Sequence, residues 1–408
     1  MMKRHGAAAG ESWSSIPLEL LEEISGHLST DADLLHIHQV CVHWRACTSP
    51  PAACRPWILA HGTPWSRATA PKDPNYSVWL PRRLLQQKMD IGAPPGGLLY
   101  CRGSPRGWLA LVDDLRSPTR LVLWDPASGA EVPLPCLSPV AQVFLSDDPL
   151  ASPDWMAVAS QTVGGSAQKL FFWRPGDAPW KVLREQPTAG IVSIAFHEGR
   201  IYYMDLRLVV FVYDLNLGTA HLPAFIGVIN ISWQVDQLCR CEHLKHVVRG
   251  GGARLVTCGG DLLLIVLRRG PCLRRGGRPS PSLHGSSVCS SFAEIYKLKW
   301  TTERQLELGE RVKDLGEHSL FIGGGQSFAL SAKEFPAIKR NHIYCLANNW
   351  KYSFKGDHTL SDWAFMFDMG SDTLKEISYP KELRDEGTNW WPSSWLCLRS
   401  PLLQDQQQ

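Results

Sequence analysis

From about residue 96 onward, side-chain character alternates with a period of two. Short β-branched and aromatic runs recur, each broken by Gly, Pro, Asp or Asn, which is the pattern of strands separated by tight turns. The runs come in sets. Residues 107–112 precede 121–126, 155–159 precede 170–174, and 191–196 with 200–205 precede 210–214. Farther on, 254–258 with 262–267 precede 293–297, and 319–322 with 328–330 precede 342–346 and then 364–368. Strands alone, repeating every ~40–50 residues, are the spacing of propeller blades. Five units can be read, and a sixth assembled from both ends of this region makes about six blades. A β-sandwich is the runner-up, since irregular strand pairs do not by themselves prove radial closure.

The chain before this region follows a different period. Leu20, Leu21, Ile24 and Leu28 form one stripe of a helix. Pro17 stands where a first-turn proline is tolerated, and Glu19, Glu22 and Glu23 suit the positive helix end. Thr30 caps a second start, with Asp31 and Asp33 in its first turn. Ile37, Val40, Cys41 and Trp44 repeat the helical spacing until Ser49-Pro50-Pro51 stops it. The expected fold class is α+β multidomain. A small helical unit over 12–58 is followed by a connector over 59–95 rich in Pro, Trp and charge, then an all-β propeller over 96–400. Polar tails occupy 1–11 and 401–408. Arg268, Arg269, Arg274, Arg275 and Arg278 lie among Gly, Pro and Ser in a basic insertion over 268–291.

The 408 residues suffice for more than one compact unit. The formal net charge of +3 is too mild to point to a membrane or a specific nucleic-acid partner. No apolar run reaches the ~18 residues of a membrane helix, and the polar N-terminus does not read as a secretory signal. The expected setting is intracellular, nucleus or cytoplasm. There most of the twelve scattered cysteines read as small buried apolar side chains.

Ile16-Pro17-Leu18-Glu19-Leu20-Leu21-Glu22-Glu23-Ile24, then Leu28, Asp33-Leu34-Leu35 and Val40-Cys41-Val42-His43-Trp44-Arg45 together resemble the F-box. That pattern runs Leu-Pro, a Leu-Leu/Ile helix, a short acidic turn, then Val-Cys-x-x-Trp-Arg. Ile16 replaces the usual Leu, a volume-conserving change, and Gln39 stands where a basic residue is common. The resemblance implies binding to a Skp-type adaptor and, through it, a cullin. Pro17, Leu20, Leu21, Ile24, Leu28, Leu34, Val40, Cys41, Trp44 and Arg45 would be the contacts or their supports, with Trp44 the expected hot spot. A helical unit this small has little core of its own, so its stripes need an outside surface.

Farther on, residues 320–332, the Ile338-Lys339-Arg340-Asn341-His342-Ile343-Tyr344 run and Trp390-Trp391-Pro392-Ser393 resemble plant F-box proteins with a KIB-type β-propeller. Trp124-Asp125-Pro126-Ala127-Ser128-Gly129 fits that family's blade end, with Asp125 in place of Asn. The resemblance implies a non-catalytic ubiquitin-ligase adaptor whose propeller binds a protein substrate. The rival reading is a propeller enzyme or ligand binder with a helical extension.

Other chemistry is thin. Cys239, Cys241, His243 and His246 are zinc-ligand types without finger spacing, so no metal or cofactor is expected. Gly323-Gly324-Gly325-Gln326-Ser327 lacks the Lys-Ser/Thr of a phosphate loop and fits close backbone packing. Asp205, Asp214 and Asp368 recur at strand ends, which argues for turns and against a catalytic pair.

Overall fold

The computed structural model describes residues 13–28, 40–48, 56–64, 74–80, 87–89, 94–126, 128–216, 222–232, 252–267, 293–300, 305–335, 338–346, 362–378 and 388–397, with single positions 33, 37 and 91. The basic insertion and the Cys239–His246 cluster lie outside these residues.

The strands form six sheets. Blade 1 holds β4 (Tyr100–Cys101), β5 (Leu109–Val112), β6 (Leu121–Trp124) and β7 (Glu131–Leu134). Blade 2 holds β8 (Val140–Leu145), β9 (Ala157–Gly164), β10 (Ala167–Trp173) and β11 (Lys181–Ala189). Blade 3 holds β12 (Ile191–His197), β13 (Arg200–Asp205), β14 (Val209–Asp214) and β15 (Ala224–Asn230). Blade 4 holds β16 (Ala253–Cys258), β17 (Asp261–Leu267), β18 (Ala293–Trp300) and β19 (Leu306–Val312). These four sheets are antiparallel meanders.

Blade 5 has five strands in the order β21 (Phe328–Ser331), β20 (His318–Ile322), β22 (His342–Leu346), β23 (Asp362–Asp368) and β24 (Thr373–Ser378). Its β20 and β22 run parallel, so the chain crosses from one side of β20 to the other. Blade 6 joins both ends of the region. Here β25 (Thr388–Leu396) pairs antiparallel with β1 (Trp57–Pro64), followed by β2 (Tyr76–Leu80) and β3 (Gln87–Met89).

Six apolar clusters decide between ring and sandwich. Each joins one neighbouring pair of blades, from 1–2 through 5–6 and back from 6 to 1. A sandwich has one core between two sheets; six interfaces in cyclic order make a closed six-bladed propeller. The alternation of strand side chains builds it. On β17, Leu262, Leu264 and Val266 face blade 3, while Leu263, Ile265 and Leu267 face blade 5. Both faces are dry, which is why this strand reads as a continuous apolar run. On β1, Trp57 and Leu59 pack toward blade 1, and Ile58 and Ala60 toward blade 5. Trp57, Trp108, Trp363 and Trp395 are fully buried in these layers.

The sixth blade corrects the expected connector. Residues 59–95 hold most of β1 and all of β2 and β3, so the propeller begins at Trp57 and not near 96. The strands β2 and β3 of this range are short, with only five and three residues, and gave the sequence little periodicity to read.

The ring axis is crossed by the glycine-rich turn of blade 5. Blades 2 and 5 stand opposite each other in a six-membered ring, yet the Gln326 amide bridges to blade 2. Its Oε1 accepts from the Leu145 N–H at 3.2 Å and its Nε2 donates to the Leu145 carbonyl at 3.1 Å. Gln142 Nε2 donates to the Gly324 carbonyl at 2.6 Å. Buried Arg254 of blade 4 donates to the Gly323 carbonyl at 3.2 Å. Blade 6 supplies the Ser393 carbonyl for Gly324 N–H at 2.7 Å, and the Trp395 indole donates to the Ile322 carbonyl at 3.1 Å. A Cβ on Gly324 would sit 2.7 Å from the Ser393 oxygen, so the close approach requires glycine.

The seam has a second tie. Ser104 Oγ donates to the Trp395 carbonyl at 2.9 Å and, its one proton spent, accepts from Ser394 Oγ at 2.7 Å. Beside it on β1, His61 is held neutral: burial, and then the Arg102 charge, push its pKa down to about 4.

Two outcomes follow. Gly324→Ala and Gln326→Ala should each lower stability to thermal or urea unfolding by about 1–3 kcal/mol, from overpacking and from orphaned backbone groups respectively. Gly96→Ala, with open space around it, should be near neutral. For His61 the folded state refuses a proton that the unfolded chain accepts near pH 6.5. Stability should therefore fall as pH drops from about 6.5 toward about 4. A His61→Gln variant, compared by urea midpoint across that range, should show a shallower fall.

Candidate functional site

Helix α1 spans Leu18–His27 and α2 spans Val42–Cys47; a single 3-10 turn, Trp13–Ser15, precedes them. Pro17 sits at the N-cap of α1, where its missing N–H costs nothing, and its carbonyl accepts from Leu21 N–H at 3.2 Å. Glu19 lies in the first turn, at the positive end of the helix dipole. The chain leaves the helix at Leu28, whose N–H reaches the Ser25 carbonyl at 3.2 Å.

The apolar stripe of α1 is split. Leu21 is fully buried, as is Ile37 nearly so, whereas Leu20 is 51% exposed and Ile24 40% exposed. Leu28, which lies between these flanks on the helical wheel, is half-buried. Leu18, Val40 and Trp13 are exposed as well. One flank of the helix thus carries the local core, and the other presents branched aliphatic side chains to solvent.

Hydrogen bonds fix α2 against the segment leading into α1. Cys41 is the N-cap of α2, and its sulfur accepts from Trp44 N–H at 3.5 Å. The Trp44 indole donates to the Trp13 carbonyl at 2.7 Å. His43 Nε2 lies 2.7 Å from the Ile16 carbonyl, which makes that nitrogen the protonated one. Thr48 Oγ1 donates back to the Trp44 carbonyl at 2.9 Å.

The expected contact residues therefore divide. Pro17, Leu20, Ile24 and Val40 are exposed. Leu21 is an internal support, and Leu28, Cys41 and Trp44 are half-buried. The indole N–H of Trp44, the expected hot spot, is bonded inside the unit to the Trp13 carbonyl. Arg45 lies in α2, its side chain outside the described residues, as is Leu34 altogether. Leu18 and Trp13 belong with the exposed apolar group. They escaped the sequence reading because they fall off the Leu20–Leu28 stripe.

The aspartates that the sequence singled out at strand ends bond to nearby backbone. Asp205 Oδ1 accepts from the N–H of Arg207 and Val209 at 2.9 and 3.0 Å. Asp214 accepts from Asn216 N–H at 2.8 Å, and Asp368 from Gly370 N–H at 2.9 Å. These are turn-forming carboxylates. Among the described residues no His, Cys, Asp and Glu side chains are grouped to hold a metal, and no helix is long and apolar enough to cross a membrane.

F-box protein At2g26160 of Arabidopsis thaliana is 22% identical over 358 residues, covering 82% of this chain and 96% of that protein. Among solved structures, a putative 6-phosphogluconolactonase from Bacteroides uniformis covers 83% of both chains at 10% identity and a TM-score of 0.34. A protein from Lactobacillus plantarum covers 80% of this chain and 98% of its own at 12% identity and a TM-score of 0.35. Those two likenesses are too slight to bear on function. The pattern of the KIB1-4 β-propeller matches residues 76–372, from the second strand of the closing blade to the last turn of blade 5. With that match over most of the ring, the chain belongs to the KIB1-4 β-propeller family.

Proposed function

We propose that this protein is the target-recognition subunit of a Skp–cullin–F-box ubiquitin ligase, a non-catalytic adaptor acting inside the cell, in nucleus or cytoplasm. Its N-terminal helices dock a Skp-type adaptor, the adaptor brings a cullin, and the propeller holds a protein substrate. The observation that carries the reading is the divided stripe of α1: Leu20 and Ile24 stay exposed on a helix whose other flank, Leu21, is buried. Exposed aliphatic side chains on a preformed helix favour burial in a partner's groove. The F-box-like spacing from Ile16 to Arg45 names the partner, and the F-box protein of Arabidopsis thaliana, alike along nearly its whole length, supports the same role.

The rival reading, a propeller enzyme or small-molecule binder, calls for a site on the ring axis. In this ring the turn at 323–326 lies across the axis, held by carbonyl and amide contacts to blades 2, 4 and 6. That favours a ring used as a rigid platform.

Two measurements test the proposal. Leu20→Ala with Ile24→Ala should weaken capture of a purified Skp-type adaptor by about tenfold or more, at ~1 kcal/mol or more per anchor. The helical circular dichroism and the propeller's unfolding midpoint should stay unchanged. Leu21→Ala should instead loosen the helices themselves, at about 2–5 kcal/mol for a buried Leu. Full-strength binding by the Leu20/Ile24 double variant would sink the docking assignment. Absence of cullin from adaptor-containing pull-downs would separate an F-box protein without ligase function from the ligase subunit.

A further inference from the structure

On the opposite end of β20 from the axial turn, blades 4 and 5 part to leave a recess of about 260 Å³. Its floor and walls come from Thr257, Cys258 and the Gly259-Gly260 turn of blade 4, and from His318, Ser331 and Glu334 of blade 5. The polar groups here are largely unspent. Among the described residues the Cys258 thiol, the His318 imidazole and the Glu334 carboxylate have no hydrogen-bond or ion-pair partner. The nearby carboxylates differ: Asp261 is paired with Lys297 at 2.9 Å, and Glu317 with Arg340 at 3.3 Å. Glu334 is thus the one acidic side chain lining the recess, and among the described residues no cation pairs with it. Gly259 and Gly260 occupy left-handed backbone at φ +58° and +84°, and a Cβ on Gly260 would meet nothing within 4 Å, so the mouth is open.

The volume is below the ~300–1,000 Å³ of cofactor and drug-sized pockets and suits a single long side chain. We propose that this recess receives a lysine or arginine side chain of a bound target polypeptide, its cation meeting the Glu334 carboxylate and its donors the neighbouring His318 and Thr257. Charge complementarity selects this occupant: an acidic group with no partner among the described residues, beside Thr257 and Ser331 hydroxyls, on turns held by a rigid scaffold. The inference rests on the reading that the propeller holds a protein target. It also gives that reading a place, away from the obstructed axis.

Cys258 supplies the test, because it lines the recess. Burial, and then the Asp261 charge, push its thiol up to about 11, so alkylation is slow and easily timed. The intact chain is treated with N-ethylmaleimide alone or with acetyl-Gly-Arg-Gly-amide, acetyl-Gly-Lys-Gly-amide or acetyl-Gly-Glu-Gly-amide. Labelling is followed by mass spectrometry, with exposed Cys136 as the internal reference. The two basic peptides, at tens of millimolar, should slow Cys258 labelling about threefold relative to Cys136, as weak millimolar binding implies. The acidic peptide should have no effect. Glu334→Gln should abolish the protection, and Glu334→Lys should transfer it to the acidic peptide; both changes are at an exposed position. Equal protection by all three peptides, protection by none, or protection surviving Glu334→Gln overturns the assignment. Adaptor capture through Leu20 and Ile24 is measured separately, so failure here and failure of the ligase reading are told apart.

Discussion

Every blade of this ring is a sheet with two dry faces, and the rest of the structure depends on that constraint. A strand places alternate side chains on opposite faces, so β17 must satisfy blade 3 with Leu262, Leu264 and Val266 while satisfying blade 5 with Leu263, Ile265 and Leu267. No single sheet can do this alone. Each borrows half its core from either neighbour, and the arrangement is complete only when the last sheet meets the first. The cost of leaving one face wet, at ~25 cal/mol per Å² of apolar surface, is what makes closure obligatory.

Closure is achieved where the chain's two ends meet. Strand β25 lies against β1 over eight paired positions, and the Ser104–Ser394–Trp395 link ties that seam to blade 1. The 323–326 turn adds a hub. It belongs to blade 5 but is held by blades 2, 4 and 6, through Gln326, Arg254 and the Ser393 carbonyl. A buried backbone turn demands partners for its polar groups, and here those partners come from around the ring. The hub therefore stiffens the platform and takes up the space in which an axial ligand would sit. The proposed Glu334 recess lies away from this hub, at the opposite end of β20.

The helical unit obeys the opposite logic. It is too small to bury all its apolar side chains. Leu21 and Ile37 are covered, and Leu18, Leu20, Ile24 and Val40 remain outside. In an isolated domain this is a cost in solubility, and it is this exposed group that the proposed docking would cover. The committed indole of Trp44 shows how the unit holds its shape before any partner arrives, since the Trp13 carbonyl fixes α2 against the entry to α1.

Period and spacing alone told that the C-terminal region is built of strands in repeating sets and that Asp205, Asp214 and Asp368 are turn residues; of the expected N-terminal helical unit the described residues hold Leu18–His27 and Val42–Cys47. These are local properties, set by alternation and by side-chain hydrogen bonds a few residues long. The glycine run at 323–325 could be read as close packing, but not what it packs against, because Ser393 and Leu145 lie far away in sequence. A sixth blade drawn from both ends could be read, but not its strands: β1 falls partly in the expected connector, and its partner β25 is more than 300 residues distant. Which face of α1 stays open, and that Thr257, His318 and Glu334 share one recess, were decided only by tertiary structure. Burial and proximity are properties of the closed ring, and no stretch of the chain encodes them until its two ends have met.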